Sequence, residues 1–240
     1  MTRHGGKRVR CLVGMLLVLA IAAAWAVPAA AEDDGFIELF NGKDLSGWRV
    51  QGGEGGHWTV GTASLHPDDP REFVVDEGNE LVNARSRGRN LYSELEFGDA
   101  VIELEVMVPQ RSNSGIYIMG EYEVQILDSY GRERLTQGDM GAIYSAAAPR
   151  VNASKAPGEW QTYHIRYRAP RFGADGNKTA NAFVERVILN DVVIQENVEV
   201  QGPTGGSLRN REAPRGPIMF QGDHGPVSFR NIRVKPLDAE

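Results

Sequence analysis

One stretch of the sequence, Ala100-Val-Ile-Glu-Leu-Glu-Val-Met-Val108, decides the class of the fold. Its side chains alternate in character with a period of two, and in an extended strand every second residue faces the same side. One face would carry four apolar residues, Ile102, Leu104, Val106 and Val108. The other face would carry Glu103 and Glu105. Such a segment is typical of an antiparallel strand that is buried on one side.

The same alternation recurs between short clusters of Gly and Pro, of which the chain has 28 and 12. Beside the first stretch it predicts strands at Ile37–Phe40, Trp48–Gln51, His57–Val60, Glu80–Val82, Gly115–Met119, Tyr122–Leu127, Trp160–Arg168, Phe183–Leu189, Val192–Val198, Ile218–Gln221 and Val227–Val234. Leu189-Asn-Asp-Val192 predicts a tight hairpin, because Asn and Asp tolerate positive φ. The connections Ala169–Ala182 and Gln201–Pro217 are long. This layout predicts an all-β sandwich or jelly roll.

The N-terminus has the layout of a signal peptide over residues 1–31. Four basic residues come before an uncharged apolar run of 16 residues, Leu12–Val27, and Ala29-Ala-Ala31 fits the small-residue cleavage rule. The run is shorter than the roughly 20 residues that a spanning helix needs. We therefore expect export to the periplasm or the extracellular space, with no membrane association after cleavage.

Residues 32–240 are expected to form one domain. Four of the 26 Lys+Arg and none of the 32 Asp+Glu lie in the first 31 residues, so the remaining 209 have a net charge of −10 and no cysteine. Disulfides, thiol nucleophiles and thiolate metal ligands are thereby excluded. The acidity makes nucleic acid a poor partner, because phosphate binding needs a positive surface. No cofactor motif is evident; the acidity is compatible with a structural Ca²⁺, but its ligands cannot be placed.

The segment richest in chemistry is Glu123-Val-Gln-Ile-Leu-Asp128. Strict alternation puts Glu123 and Gln125 on one face and Asp128 on the other. A one-residue bulge at Ile126-Leu127 would bring Asp128 round to join them. Glycosidic chemistry needs two acids that face one substrate. The alternative is an ordinary strand that faces solvent, and the segment alone leaves both open.

Three further segments offer groups that suit a sugar. Ser112-Asn-Ser-Gly-Ile-Tyr117 supplies the polar side chains of Asn113, Ser114 and Tyr117, although Asn, Ser and Gly also favour a simple turn. Phe220-Gln-Gly-Asp-His-Gly225 supplies Gln221 and also His224, which can exchange a proton near neutral pH. Gly141-Ala-Ile-Tyr144 supplies an aromatic ring, which is either a stacking platform or a core residue. Trp48, Trp58 and Trp160 are expected in the core.

Several of these segments together resemble one family, the 3-keto-disaccharide hydrolase domain once called DUF1080. Its opening is similar to Glu38-Leu-Phe-Asn-Gly-Lys-Asp-Leu-Ser-Gly-Trp48. Further similar motifs are Asn113-Ser-Gly-Ile116, Glu123-Val-Gln-Ile-Leu-Asp128, Gly141-Ala-Ile-Tyr144, Gly158-Glu-Trp160, Gly216-Pro-Ile218 and Gln221-Gly-Asp-His-Gly-Pro-Val-Ser-Phe-Arg-Asn-Ile232. The resemblance runs from Phe36 to Leu237. It implies a concanavalin A-like jelly roll of two antiparallel sheets, one concave, with the first strand beside the last.

The resemblance also implies sugar or disaccharide substrates oxidised at C3. A C3 ketone acidifies the proton on C2, so a base can remove it, the C1 group can leave, and water can add back. Such a route needs one base and one acid. It does not need the paired carboxylates of an ordinary glycosidase, which is compatible with Gln125 in place of an acid.

Roles follow for the residues at the matching positions. We expect Glu123 to be the general base or acid and His224 to be the second proton carrier. Gln125, Asn113 and Gln221 are expected to orient hydroxyls or the ketone. Asp128 would bind sugar or hold His224. Tyr144 would stack on the ring, and Arg230 would stabilise an oxyanion if it faces the groove.

Two other functions remain open from the sequence. The first is a carbohydrate-binding module without catalysis, since this fold is shared with lectins and does not fix function. The second is a retaining glycoside hydrolase on unoxidised glucan, which needs two carboxylates only about 5–5.5 Å apart. The position of Asp128 distinguishes the retaining glycoside hydrolase from the other functions. Convergence of Glu123, Gln125 and His224 in one concavity distinguishes an enzyme from a binding module.

Overall fold

The computed structural model describes residues 1–2, 34–54 and 56–237. The chain divides into a unit at residues 1–33 and a unit at residues 34–240. The predicted signal peptide lies outside the described residues except for its first two. No helix in the described part of the chain is long and apolar enough to cross a membrane.

The described residues form β-strands as their regular elements. In chain order these are β1 Ile37–Glu38, β2 Trp48–Val50, β3 Trp58–Leu65, β4 Phe73–Asn83, β5 Leu91–Phe97, β6 Ala100–Met107, β7 Asn113–Ile118, β8 Tyr122–Leu127, β9 Gln161–Arg168, β10 Arg171–Phe172, β11 Lys178–Ala180, β12 Ala182–Leu189, β13 Val192–Val200, β14 Gly216–Phe220 and β15 Val227–Pro236.

These strands build two main sheets. The large sheet has the order β13-β12-β9-β6-β15-β4-β3, with β1 paired to β15, and the small sheet has the order β2-β5-β14-β7-β8. Strands β10 and β11 pair with each other. Neighbours in both main sheets are antiparallel, so the predicted all-β, concanavalin A-like sandwich is confirmed. The first strand lies beside the last, as Ile37 pairs with Val234.

Most predicted strands are present, but three predictions need correction. The strand at Glu80–Val82 is the end of the longer β4, and the predicted loop Ala169–Ala182 contains β10 and β11. Strand β5 was missed because its alternation fails in the middle. Ser93 is buried, donating its hydroxyl to the carbonyl oxygen of Leu95, while Leu95 is exposed. The hairpin after Leu189 has the expected geometry, with φ of 50° at Asn190 and 65° at Asp191.

The core lies between the two sheets, and its centre is an aromatic stack. Phe220 of the small sheet and Phe229 of the large sheet lie 4.0 Å apart between ring centroids, at 13° between planes. Trp48 and Trp58 pack against Phe220 at 5.4 and 6.4 Å. Both tryptophans are core residues, as expected. Trp160 is instead half-buried, with the Arg230 guanidinium 4.0 Å from its ring centroid.

Candidate functional site

The candidate site lies on the outer face of the small sheet, at β7 and β8. Three β8 residues belong to the core, Tyr122, Val124 and Ile126. Because strand residues alternate, Glu123 and Gln125 point away from the core. The register places Tyr117 opposite Glu123 and Gly115 opposite Gln125. Polar side chains from both strands therefore converge on the same face.

A cavity of about 290 Å³ opens over this face. Its walls are formed by Asn90, Asn113, Tyr117, Glu123, Gln125, Tyr144, Gly205, Gly206, Gln221, Asp223 and His224. Seven of the residues singled out from the sequence thus line one concavity: Glu123, His224, Asn113, Tyr117, Gln125, Tyr144 and Gln221. These include the acid, the amide and the histidine whose convergence was the test of an enzyme site.

Glu123 is a buried carboxyl group, with 4% of the residue exposed. Its burial raises its pKa to about 7, and the charge of Asp223 acts in the same direction, whereas the Tyr117 hydroxyl and His224 oppose the rise. The Tyr117 hydroxyl lies 3.1 Å from Glu123 Oε2 and 2.9 Å from the carbonyl oxygen of Gly205. It has one proton and can donate to only one of them. A protonated Glu123 resolves this, because it can donate to Tyr117 while Tyr117 donates to Gly205.

The position of the Glu123 carboxyl depends on Gly115. A methyl group at Gly115 would lie 3.0 Å from both Cγ and Cδ of Glu123, and closer still to Oε1. The Glu123 side chain therefore crosses β7 at Gly115, the residue of this strand that lacks a Cβ. The glycine in Asn113-Ser-Gly-Ile116 leaves the space that this conformation of the carboxyl group needs.

His224 and Asp223 form a hydrogen-bonded pair beside this carboxyl. Nδ1 of His224 lies 2.6 Å from Oδ1 of Asp223, and both side chains are half-exposed. A carboxylate at Nδ1 leaves Nε2 free to exchange a proton with a ligand. The proposed partner of His224 was Asp128, and the structure puts the neighbouring Asp223 in that place.

The loop that presents this pair is fixed from behind by Asn83. Its Nδ2 donates to the carbonyl oxygens of Gly222 and Gly225, at 3.0 Å each. Glycine is needed at both ends, since a Cβ at Gly225 would approach the Asn113 nitrogen to 2.8 Å, and one at Gly222 would approach Trp58 Nε1 to 2.9 Å. The loop is therefore closely packed although its tip is open to solvent.

Amide groups cover the floor of the cavity. Gln125 donates from Nε2 to Oδ1 of Asn113 at 2.7 Å. Gln221 is buried, and its Oε1 has no hydrogen-bond partner in the described part of the chain. A buried amide oxygen without a hydrogen-bond partner costs free energy. This oxygen is therefore an acceptor to which a ligand hydroxyl would donate.

The rim of the cavity comes from two loops. Tyr144 is 40% exposed, and its backbone nitrogen donates to the carbonyl oxygen of Glu123 at 3.0 Å. On the other side, Thr204 Oγ1 accepts a hydrogen bond from the Glu123 nitrogen at 3.1 Å, which fixes the Gly205-Gly206 segment over Tyr117. An exposed ring at the rim suits stacking on a sugar, so Tyr144 is not a core tyrosine.

Three residues named from the sequence lie elsewhere. The bulge at Ile126-Leu127 that would bring Asp128 to this face is absent, because β7 and β8 pair without a register shift, and Asp128 instead accepts from the Arg111 backbone nitrogen at 2.8 Å. Ser114 faces the core, and its hydroxyl donates to the carbonyl oxygen of Gln221 at 2.8 Å. Arg230 belongs to the large sheet and pairs with Glu105 at 2.6 Å. Ser114 nevertheless supports the site, because it holds the backbone of Gln221.

Sequence reasoning missed four lining residues. Asn90, Gly205 and Gly206 come from connections far from β7 and β8 in the chain, and no local pattern signals them. Asp223 had a usable signal, because it is adjacent to His224. Within the described residues, no group of three or more His, Cys, Asp or Glu side chains is arranged to hold a metal ion.

Larger cavities exist elsewhere, and charged side chains that line them form ion pairs with one another. One of about 480 Å³ on the large sheet is lined by Glu103, His164 and Arg233 among others. Glu103 contacts His164 at 2.9 Å and Arg233 at 2.6 Å. Another cavity, of about 960 Å³, includes Asp69 and Arg71, which pair at 2.6 Å. The cavity at Glu123 differs in its buried acid and its unpartnered amide oxygen.

Comparison with known proteins agrees with the motifs and the fold. The model of the 3-keto-alpha-glucoside-1,2-lyase-like domain matches residues 35–235. A crystal structure of a "putative glycosyl hydrolase" from Parabacteroides distasonis ATCC 8503 is 32% identical, with coverage of 85% of this chain and 84% of that chain and a TM-score of 0.66. Another from the same organism is 19% identical, covers 87% and 98%, and has a TM-score of 0.62, which shows the fold alone.

The search of curated proteins found no match. The family match and the 32% identical structure nevertheless place the chain among carbohydrate-active proteins of the glycosyl hydrolase or lyase type. With the family model covering most of the chain, residues 35–235 belong to the family of 3-keto-alpha-glucoside-1,2-lyase-like domains.

Proposed function

We propose that the protein cleaves the glycosidic bond of 3-keto-glycosides or 3-keto-disaccharides by elimination followed by hydration. The observation that supports this most is the buried carboxyl group of Glu123, which shares a cavity with the His224–Asp223 pair. Proton abstraction next to a ketone needs one base and one acid, and this cavity supplies one of each.

The first step uses Glu123 as the base. With a pKa of about 7, an appreciable fraction of Glu123 is ionised at neutral pH and still basic enough to accept a carbon-bound proton. It removes the C2 proton of the oxidised ring, and the electron pair passes to the C3 oxygen as an enolate. The amides of Asn113 and Gln221 are the groups that bind the ketone and its neighbouring hydroxyls.

The second step uses His224 as the acid. The enolate electrons return to form a C1–C2 double bond, the C1–O bond breaks, and His224 donates its Nε2 proton to the departing oxygen. Asp223 stabilises the charged imidazole through Nδ1. Water then adds at C1 and gives its proton to the now neutral His224, and Glu123 returns its proton to C2. These transfers restore the 3-keto sugar and the starting protonation of both side chains.

The geometry does not support the retaining-glucanase alternative. That mechanism needs a second free carboxylate about 5–5.5 Å from the first. Asp128 is outside the cavity lining, and Asp223, the other acid there, is paired with His224.

The test is to incubate the purified protein with 3-keto-trehalose, 3-keto-lactose and their unoxidised parents, and to measure released sugar. We expect cleavage of the oxidised compounds only. Glu123→Gln and His224→Ala should each lower kcat by about 10²–10⁴-fold, the usual contribution of a positioned acid or base. Full activity in either variant removes that residue from the mechanism.

A matched control is available on the large sheet. Glu103 and His164 form another carboxylate–histidine pair, with 2.9 Å between Oε1 and Nδ1, and they line a different cavity. Glu103→Gln and His164→Ala should leave kcat unchanged. The exposed Tyr144 and the amide floor would also serve a non-catalytic binding module, and binding of the sugars without cleavage of any of them would favour that function.

A further inference from the structure

The cavity at Glu123 adjoins a second, smaller one of about 210 Å³. Asn90 and Asp223 line both, so the two spaces are neighbours. The other walls of the second cavity are Gln51, Gly52, Gly88 and Arg89. Small-molecule pockets usually measure about 300–1,000 Å³. The first cavity alone is just below that range, whereas the two together fall within it.

We propose that this second cavity is the subsite for the leaving-group sugar of a disaccharide substrate. The inference rests on the proposed function, because the oxidised ring must occupy the cavity of Glu123. The carboxyl group of Glu123 would lie beside C2 of this ring, and His224 would lie beside the oxygen on C1. Since Asp223 is hydrogen-bonded to His224 and lines both cavities, the bond that breaks would lie at their boundary, and the departing sugar would extend into the second space.

The second cavity contains polar groups that are still available to a ligand. Among the described residues, the Arg89 side chain makes one hydrogen bond, from Nη1 to the carbonyl oxygen of Gln51 at 3.4 Å, and no ion pair. Gln51 Oε1 accepts from Asn90 at 2.9 Å, but Gln51 Nε2 donates to no described group. Asp223 uses only Oδ1 for His224. Two donors and one acceptor thus surround a space that suits sugar hydroxyls.

The backbone around this cavity is fixed in position. Gly52 has a φ of +76°, and a Cβ there would collide with the Arg89 guanidinium. A Cβ at Gly88 would lie 2.8 Å from the carbonyl oxygen of Gly222. Asn90 connects the two sides, as its Oδ1 accepts from the Gly222 nitrogen at 3.0 Å and its Nδ2 donates to Gln51. These contacts hold the walls at a set spacing without a ligand.

Affinity can test the subsite without turnover. In a Glu123→Gln background, calorimetry would compare a 3-keto-disaccharide with the methyl glycoside of the same 3-keto sugar. We expect the disaccharide to bind at least tenfold more tightly than the methyl glycoside. Arg89→Ala should reduce this ratio of affinities about tenfold, which corresponds to about 1.4 kcal/mol. Arg85→Ala is the matched control, since Arg85 is exposed and lines a different cavity.

The outcomes separate the two proposals. Equal affinity for the two ligands, or an equal loss on both in Arg89→Ala, overturns the subsite. Absence of cleavage by the wild-type protein, with the Arg89-dependent difference in affinity retained, overturns the proposed chemistry but keeps the subsite. If cleavage occurs, Arg89→Ala should lower kcat/KM about tenfold for the disaccharide and less than twofold for the methyl glycoside.

Discussion

The buried carboxyl group of Glu123 links the site to the stability of the protein. Its pKa rises from 4.5 to about 7 on folding, chiefly through burial, so between these values the folded state binds a proton that the unfolded state has lost. Stability from this group is therefore complete below about pH 4.5 and declines as the pH rises through about 7. The total decline corresponds to about 3 kcal/mol.

Glu123→Gln should remove this pH dependence, because Gln is neutral and nearly the same size. We expect the free energy of unfolding of the wild type, relative to the variant, to fall by about 3 kcal/mol between about pH 4 and pH 8. Urea denaturation of both proteins over this range measures it. Other groups near Glu123, namely Tyr117, Asp223 and His224, are common to both and cancel in first approximation. A difference that stays constant with pH would show that the carboxyl is not buried in solution.

Local chemistry explains which residues could be assigned from the sequence. His224 could be named because few side chains exchange protons near neutrality, and Glu123 because alternation puts its carboxyl group on the polar face of β8. Asp128 could not be excluded, because the presence of a bulge depends on the pairing of β7 with β8 rather than on the residues of β8. Arg230 failed for a similar reason, since its motif does not say which sheet it enters.

Strand β7 leaves room for the Glu123 carboxyl group because Gly115 has no Cβ. In Gly115→Ala, the new methyl group would displace the Glu123 carboxyl, which is the flexible end of a side chain. We expect kcat/KM on the 3-keto substrate to fall about 10²-fold, the usual effect of misplacing a reacting group by about 1 Å. The free energy of unfolding should change by less than about 1 kcal/mol, because Ala is no worse than Gly in a strand.

Gly202→Ala serves as the matched control for this change. A Cβ at Gly202 would meet nothing within 4 Å, so both activity and stability should stay close to the wild type. If Gly115→Ala retained full activity, the carboxyl would not need its position across β7. A large loss of stability in Gly115→Ala would instead mean that the side chain cannot move aside.

The strand pattern was largely predictable because alternation follows directly from burial on one face, as in β6 and β8. Strand β5 escaped because a buried serine, Ser93, interrupts the apolar face that Leu91, Leu95 and Phe97 would otherwise mark. Walls of the site such as Asn90 and Gly205 could not be predicted, since they reach the cavity only through the order of strands in the small sheet and through long connections. The placement of these residues depends on the topology of the fold, and no short segment of the sequence predicts it.

The two sheets are held together by the stack of Phe220 on Phe229, and the same stack supports the site. Phe220 comes directly before Gln221, whose side chain lines the cavity, and Phe229 follows the loop that contains His224. Both phenylalanines have no exposed surface. Removing either ring leaves a cavity between the sheets, which costs both the transfer free energy and the lost contacts.

Phe229→Ala should therefore lower the free energy of unfolding by about 3–5 kcal/mol. Phe183→Ala is the control, because Phe183 is half-buried on the large sheet with the Arg168 guanidinium 4.8 Å from its ring centroid, and it should cost far less. Urea denaturation followed by tryptophan fluorescence measures both, and Trp58, 6.2 Å from Phe229, reports on the stack itself. Equal losses in the two variants would mean that the sheets do not depend on this contact. A selective loss in Phe229→Ala, together with weaker sugar binding, would show that the packing between the sheets also holds the site in shape.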